Sequence, residues 1–290
     1  MANPSKRLPG NAPGELFIEQ SCIDCGTCCW MAPEVFEARA SNSVVARQPG
    51  GDGEWRDALK ALIACPTGSI RTERKRNLSP ALAAFPDPID GPVFNCGYHA
   101  RSSFGAASYF IRRDAGNVLV DSPRFARRLV NRFEQMGGIE TMFLSHRDDV
   151  ADHQKFADHF GCKRIIHADD VVGGTKAVEV KIDGQEPVAL AGDLTIIPVP
   201  GHTRGSACLL FEDKFLFTGD HLAWNIEAGG VRAFRNACWY DWETQIASMK
   251  RLKDFRFEWV LPGHGRRGYL AAAEMAASLE NCITWMEETR

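Results

Sequence analysis

The chain has 290 residues, with 44% hydrophobic and 24% charged side chains, which suits a globular protein made of a small domain and a medium one. Its net charge of −3 argues against general nucleic-acid binding, which needs a basic face. No apolar run is long enough to span a bilayer, and the opening MANPSKRLPGNAPG lacks the apolar core of a signal peptide. The expected location is therefore the cytoplasm, with neither membrane nor nucleic acid as a partner.

Residues 1–14 read as a disordered tail. Residues 15–71 carry a cysteine-rich segment ending at Ala64-Cys65-Pro66-Thr67-Gly68-Ser69-Ile70. A basic stretch follows, then Pro80, Pro86, Pro88 and Pro92, so residues 72–92 have linker composition. From residue 93 the pattern changes. Residues 104–113 and 117–121 read as strands around the turn Asp114-Ala115-Gly116, and 123–136 as a helix stopped by Gly137-Gly138. A short apolar run ends at Ser145-His146. A helix at 152–160 and a strand at 163–167 come next. Residues 177–219 alternate short β-like runs with turns. A helix at 241–255, a strand at 258–261 and a helix at 268–287 complete the chain. Strands grouped with flanking helices, twice over, predict two sheets packed face to face with helices outside.

Ten cysteines are many for a reducing compartment, and Cys22, Cys25, Cys28 and Cys29 crowd into one short stretch. Tight spacing there points to metal rather than to disulfides. Cys22-Ile23-Asp24-Cys25-Gly26-Thr27-Cys28 is C-x2-C-x2-C, three thiols that can wrap three corners of a cubane cluster, with Cys65-Pro66 for the fourth. A four-cysteine zinc site is the rival. With Pro33-Glu34-Val35-Phe36 and Cys65-Pro66-Thr67-Gly68-Ser69-Ile70, the segment resembles the single-cluster bacterial-type ferredoxins. The resemblance implies one [4Fe–4S] cluster on Cys22, Cys25, Cys28 and Cys65. Cys29 is a spare, and Cys96, Cys162, Cys208, Cys238 and Cys282 read as core residues.

Histidine is scarce, yet four of the eight, His146, His153, His202 and His264, sit beside glycine or aspartate or at strand ends. Loops at strand ends can converge on one point. Pro200-Gly201-His202-Thr203-Arg204-Gly205-Ser206, Phe217-Thr218-Gly219-Asp220 and Leu261-Pro262-Gly263-His264-Gly265 resemble, in order, three motifs of the metallo-β-lactamase superfamily. The first motif of that family, His-x-His-x-Asp-His, is altered here to His146-Arg147-Asp148-Asp149-Val150-Ala151-Asp152-His153.

The resemblance implies an α+β chain in which a ferredoxin-like domain precedes an αββα metallo-β-lactamase-like sandwich over residues 93–290. It also implies a two-metal site. Its precedent puts His146, Asp148 and His202 on one ion and Asp152, His153 and His264 on the other, with Asp220 as the bridge and Asp152 also catalytic. Asp148 is the replacement for the missing histidine, with Asp149 its competitor. A carboxylate there shifts preference from zinc toward iron or manganese. His221 reads equally as ligand support or packing, and His99, His159 and His167 as ordinary residues. Arg101, Arg147, Arg204 and Arg266 could orient an anionic small-molecule substrate. Tyr98 and Ser102 are weaker candidates.

Three functions are open. One is a glyoxalase II-like hydrolase of esters or thioesters with a fused redox module and a redox partner protein. The second is a di-iron oxidoreductase fed with electrons by the cluster. The third is a non-catalytic redox sensor that binds a ligand.

Overall fold

The computed structural model describes residues 6–289. In the N-terminal unit, strand Leu16–Ile18 pairs antiparallel with Ile70–Thr72, closing the segment end to end. A hairpin, Phe36–Arg39 with Asn42–Val45, packs beside it. Helix Asp52–Ala64 opens with Asp52 and Glu54, acidic residues that suit the positive end of a helix dipole. It stops at Cys65, whose extended ψ of 120° is the conformation a residue before proline favours. One dipeptide thus ends the helix and presents a thiol.

The expected disordered tail is a correction, apart from residues 1–5, which lie outside the described residues. Leu8 N–H donates to the Ile18 carbonyl (2.9 Å) and Ala12 N–H to that of Val45 (2.7 Å). The Asn11 amide satisfies both neighbouring segments: its oxygen accepts from Ile18 and Val45, and its nitrogen donates to Leu8 and Ile18. Residues 6–14 are stitched onto the unit by backbone groups that a composition-based reading does not weigh.

The larger unit is a four-layer αββα sandwich. A seven-stranded sheet runs in the order Val180–Ile182, Lys163–His167, Thr141–Phe143, Val118–Val120, Tyr109–Ile111, Val93–Asn95, Asp87–Asp90. Facing it is a six-stranded sheet, Val188–Ala191, Leu194–Pro198, Ala207–Phe211, Phe215–Gly219, Trp259–Pro262, Gly268–Tyr269. Tyr109, Val120 and Phe143 from the first meet Leu209, Phe217 and Leu261 from the second in one core. Phe110, Leu119 and Met142 on the outer face of the first sheet pack on helices Arg127–Gln135 and His153–Phe160 through Leu129, Phe133 and Phe156. On the other side, Leu210, Leu216 and Val260 pack on helices Trp242–Arg251 and Ala272–Glu288. Strands Ala207–Phe211 and Phe215–Gly219 are buried at every position, as sheets covered on both faces require.

The expected linker, residues 72–92, is also corrected. It contains helix Ser79–Ala83 and the edge strand Asp87–Asp90, paired with Val93–Asn95. Proline is tolerated on an edge strand, so a Pro-rich run does not by itself mark a linker. The two units share a core as well: Leu59, Ile63 and Ala64 from the N-terminal helix pack with Phe85, Cys96 and Tyr98. Of the expected strand 104–113, only Tyr109–Ile111 pairs, and residues 99–105 form a loop laid over the cysteine segment. Among the described residues, no helix is long and apolar enough to cross a membrane.

Candidate metal centre

The histidines and carboxylates converge where the sheet strands end. Strand Thr141–Phe143 delivers His146 two residues after Leu144. Ser145 Oγ lies 2.9 Å from both Asp121 Oδ2 and His146 Nδ1; where it donates to a charged Asp121 its only hydrogen is used, and His146 Nδ1–H donates to Ser145 Oγ. That chain fixes the ring and leaves Nε2 as a free lone pair, the arrangement that orients metal-binding imidazoles.

His202 follows strand Leu194–Pro198. Its Nδ1–H donates to the Ala237 carbonyl, again leaving Nε2 free. Gly201 (φ 154°) admits helix Trp242–Arg251 closely: a Cβ there would stand 2.3 Å from that of Gln245. Buried Asp170 holds the two histidine loops together. Its carboxylate accepts from Thr203 Oγ1 (2.6 Å), Gly205 N–H (3.0 Å) and Arg147 N–H (3.0 Å).

Asp220 and His264 follow the neighbouring parallel strands Phe215–Gly219 and Trp259–Pro262, which brings them side by side. His146 Nε2 lies 3.8 Å from Asp220 Oδ2, and His202 Nε2 lies 3.7 Å from both Asp220 Oδ2 and Asp148 Oδ2. His264 Nε2 lies 3.7 Å from Asp149 Oδ1 and 3.8 Å from Asp220 Oδ2. These separations are too long for hydrogen bonds. They suit pairs of donors that each sit about 2.0–2.2 Å from a common ion.

Two overlapping triads have ligand atoms close enough to share an ion: His146, Asp148 and His202, and His146, Asp149 and Asp220. The buried atoms His146 Nε2, His202 Nε2, Asp149 Oδ2 and Asp220 Oδ1 have no hydrogen-bond partner. Buried polar groups are normally paired, so four such atoms within one cluster of histidines and aspartates fit a dinuclear centre.

The electrostatics agree. Burial, then the neighbouring Asp149, raises the Asp220 carboxyl. Burial and Asp149 also push Asp121 well above the carboxylate range. Burial alone would lower His264, but Asp220 and Asp149 outweigh it and raise the imidazolium to about 9. Contact with His202 holds Asp148 low. Carboxylates crowded together out of water call for cations.

Asp152 and His153 do not join this set, which corrects the second-ion expectation. Asp152 Oδ2 accepts from Phe125 N–H (2.7 Å), and Oδ1 pairs with Lys155 (2.8 Å). His153 has both ring nitrogens engaged, with Arg164 (3.1 Å) and the Gly174 carbonyl (3.2 Å). Helix His153–Phe160 starts there and carries both side chains away. Asp149, buried and three residues after His146, stands at the centre together with Asp148.

In the N-terminal unit, Cys22, Cys25, Cys28 and Cys65 line one small cavity with Thr27 and Ser69. Backbone N–H groups of Asp24 and Ser69 point at Cys22 Sγ (3.4 Å) and Cys65 Sγ (3.3 Å). Gly26 (φ 72°) gives the loop its curl. Burial raises the Cys22 and Cys25 thiols, and the Cys29 side chain together with burial raises Cys28. Cys29 turns aside to Ser43. Cys96, Cys162, Cys208 and Cys282 are buried elsewhere, and half-buried Cys238 donates to the Gly201 carbonyl.

The remaining candidates fall outside the centre. Arg204 pairs with Asp169, Arg266 donates to the Cys29 carbonyl, and neither they nor Arg101 and Arg147 line the cavity over the donors. The expected arginine-held anion therefore has no support in that wall. Ser102 does line it, while Tyr98 is buried beneath, beside Phe85. His221 is buried with both ring nitrogens unpaired; His159 pairs with Glu134, and His167 donates to the Gly184 carbonyl. His99 is buried and donates to the Gly105 carbonyl (2.6 Å). Sequence reading missed Asp121, Ser145 and Asp170, whose roles exist only after folding.

Residues 18–72 match the family model described as the 4Fe-4S single cluster domain of Ferredoxin I. No curated protein matches the chain. Among solved structures, the chain is similar to TMB-1, with a TM-score of 0.55 and 16% identity over 70% of this chain and 96% of that one. DIM-1 metallo-beta-lactamase gives 0.54 and 15% over 70% and 96%. A metallo-beta-lactamase from Pontibacter korlensis gives 0.51 and 16% over 69% and 97%. At such identities the likeness speaks for the fold alone. The chain thus joins an N-terminal ferredoxin-like domain to a unit whose fold is related to the metallo-β-lactamase superfamily.

Proposed function

We propose that the protein is a dinuclear metal-dependent hydrolase of the ester or thioester class, with a [4Fe–4S] cluster held beside its active site by Cys22, Cys25, Cys28 and Cys65. The observation that carries the reading is one cluster of histidines and aspartates with unpartnered buried atoms, whose ligand atoms lie close enough to share an ion. In this reading His146, Asp148 and His202 hold one ion, Asp149 and His264 hold the other, and Asp220 bridges them. Two divalent ions bound there supply Lewis-acid polarisation and lower the pKa of water. The protein's own contribution is orientation: Asp121 acts through Ser145 on His146, Ala237 fixes His202, and Asp170 locks both loops. Three imidazoles and three carboxylates form a harder set than an all-histidine site, so iron and manganese compete with zinc. Ten cysteines without a disulfide fit a reducing, cytoplasmic setting, and a cluster held there would take its electrons from a redox partner protein.

A second reading, a di-iron oxidoreductase, is favoured by one observation: Cys25 lines the same cavity as Asp148, Asp149, His202, Asp220 and His264. Anaerobically purified protein and its Cys65→Ala variant separate the two. Hydrolysis of an aryl ester or thioester that chelation abolishes and Cys65→Ala retains supports the hydrolase. Iron beyond the four atoms of the cluster, with turnover only under reduction, supports the oxidoreductase. Two bound metals without hydrolysis of either ester class refute the first reading.

A further inference from the structure

The cavity above the donor set has a volume of about 430 Å³, the scale of a small-molecule site. Its walls come from both units. Cys25 comes from the N-terminal unit, and Phe104, Phe234 and Trp239 from the larger one. Among the described residues, this wall contains no lysine or arginine.

The Cys25 side is built tightly. Gly105 (φ 87°) lies so close that a Cβ there would stand 2.8 Å from Cys25 Sγ. Thr27 Oγ1 donates to the Gly105 carbonyl (3.1 Å), and His99 Nδ1–H donates to the same oxygen. The preceding residue, Phe104, has φ 46° and is 53% exposed. A bulky side chain in the left-handed region is strained, and strain of this kind collects at functional sites. Its ring lies 6.1 Å from that of His264. In the same cavity wall, Trp239 is 65% exposed with its ring 6.2 Å from that of His202. Each of two exposed aromatics therefore stands beside a different candidate ligand imidazole.

We propose that Cys25, Phe104 and Trp239 form a substrate subsite shared by the two units, which takes an uncharged apolar body such as an aryl group while the reacting carboxyl end faces the donor set. The body then lies against the thiolate that holds a corner of the cluster. Ligand binding and cluster reduction are thereby linked, and linkage is reciprocal. The proposal rests on the hydrolase reading for the orientation of the ligand.

The test uses anaerobically purified holoprotein whose metal content is measured first. Acetate and phenylacetate share a carboxylate and differ in the aryl body. Phenylacetate is expected to bind at least about tenfold more tightly, about 1.4 kcal/mol, by calorimetry. It is also expected to shift the midpoint potential of the cluster where acetate does not. In that titration the cluster takes one electron from a mediator, and neither acid is altered. Phe104→Ala is expected to remove both the selectivity and the shift. Equal binding of the two acids by metal-loaded protein overturns the subsite and leaves the hydrolase reading standing. Tighter phenylacetate binding without a potential shift places the aryl group away from Cys25 and also overturns it. A second site that holds no metal sinks the hydrolase reading and the subsite with it.

Discussion

Gly263 lies against the carboxylates of Asp149 and Asp220, which the proposed reading places on one ion. A Cβ at this position would stand 2.5 Å from Asp149 Oδ2 and 2.9 Å from Asp220 Oδ1. Ordinary contact begins near 3.4 Å, so Gly263→Ala forces Asp149 to move by about 0.9 Å unless the strand end yields. The strand end is tied: Gly263 N–H donates to the Gly219 carbonyl (2.8 Å), and Ala107 N–H donates to the Gly263 carbonyl (2.7 Å). Metal–ligand distances tolerate only about 0.2 Å, so the displaced carboxylates should lose the ion they share. Overpacking of this kind costs roughly 1–3 kcal/mol and should leave the protein folded. Gly192→Ala is the control, because a Cβ there meets nothing within 4 Å. Elemental analysis and thermal melts read the outcome. Gly263→Ala is expected to lose at least one ion per chain with a modest drop in melting temperature, while Gly192→Ala changes neither. Retention of both ions by Gly263→Ala at wild-type affinity refutes the placement of Asp149 and Asp220 on a common ion.

Two other predictions probe the surroundings. Arg164 is 1% exposed and donates to Glu179, which is 42% exposed, as well as to His153, Gln154 and Ala177. The Arg164 hydrogen bond holds Glu179 down to about 2, against an ordinary value of 4.5. A depressed carboxylate stabilises the fold fully above its unfolded pKa and loses that effect as pH falls through the folded one. Glu179→Gln should therefore lower stability by about 2–3 kcal/mol at pH 7, less than for a fully buried pair because Glu179 is screened by water. The deficit should shrink between pH 4.5 and 2; urea midpoints showing a constant deficit down to pH 3 would contradict this. Separately, Asp152→Ala should keep both ions and lose about 1 kcal/mol with its bond to Phe125 N–H, whereas Asp149→Ala should lose an ion. The reverse pattern in metal analysis would return Asp152 to the site.

Much of the centre could be read before folding because the residues advertise themselves. His202, Asp220 and His264 each stand beside a glycine just past a strand, and such loops meet at one end of a sandwich. Asp148 and Asp149 compete for one position in the sequence, and the structure brings both into the donor cluster. Asp152-His153 matches the family dipeptide, yet it opens a helix whose first turn engages Asp152 with Phe125 and Lys155 and buries His153 against Arg164 and the Gly174 carbonyl. The prolines at 86 and 88 misled for a similar reason, since edge strands accept what central strands reject. Asp121, Asp170 and the place of Cys25 in the cavity wall leave no trace in local sequence. Each depends on segments dozens of residues apart meeting in space.

Anomalous diffraction at the iron and zinc edges, from crystals of anaerobically purified protein, tests the central claim most directly. The account predicts a four-iron cluster within reach of Cys22, Cys25, Cys28 and Cys65, and two further ions, one among His146, Asp148 and His202, the other between Asp149 and His264, with Asp220 touching both. Ions seated on Asp152 or His153, or no anomalous signal within reach of Asp220, would contradict it.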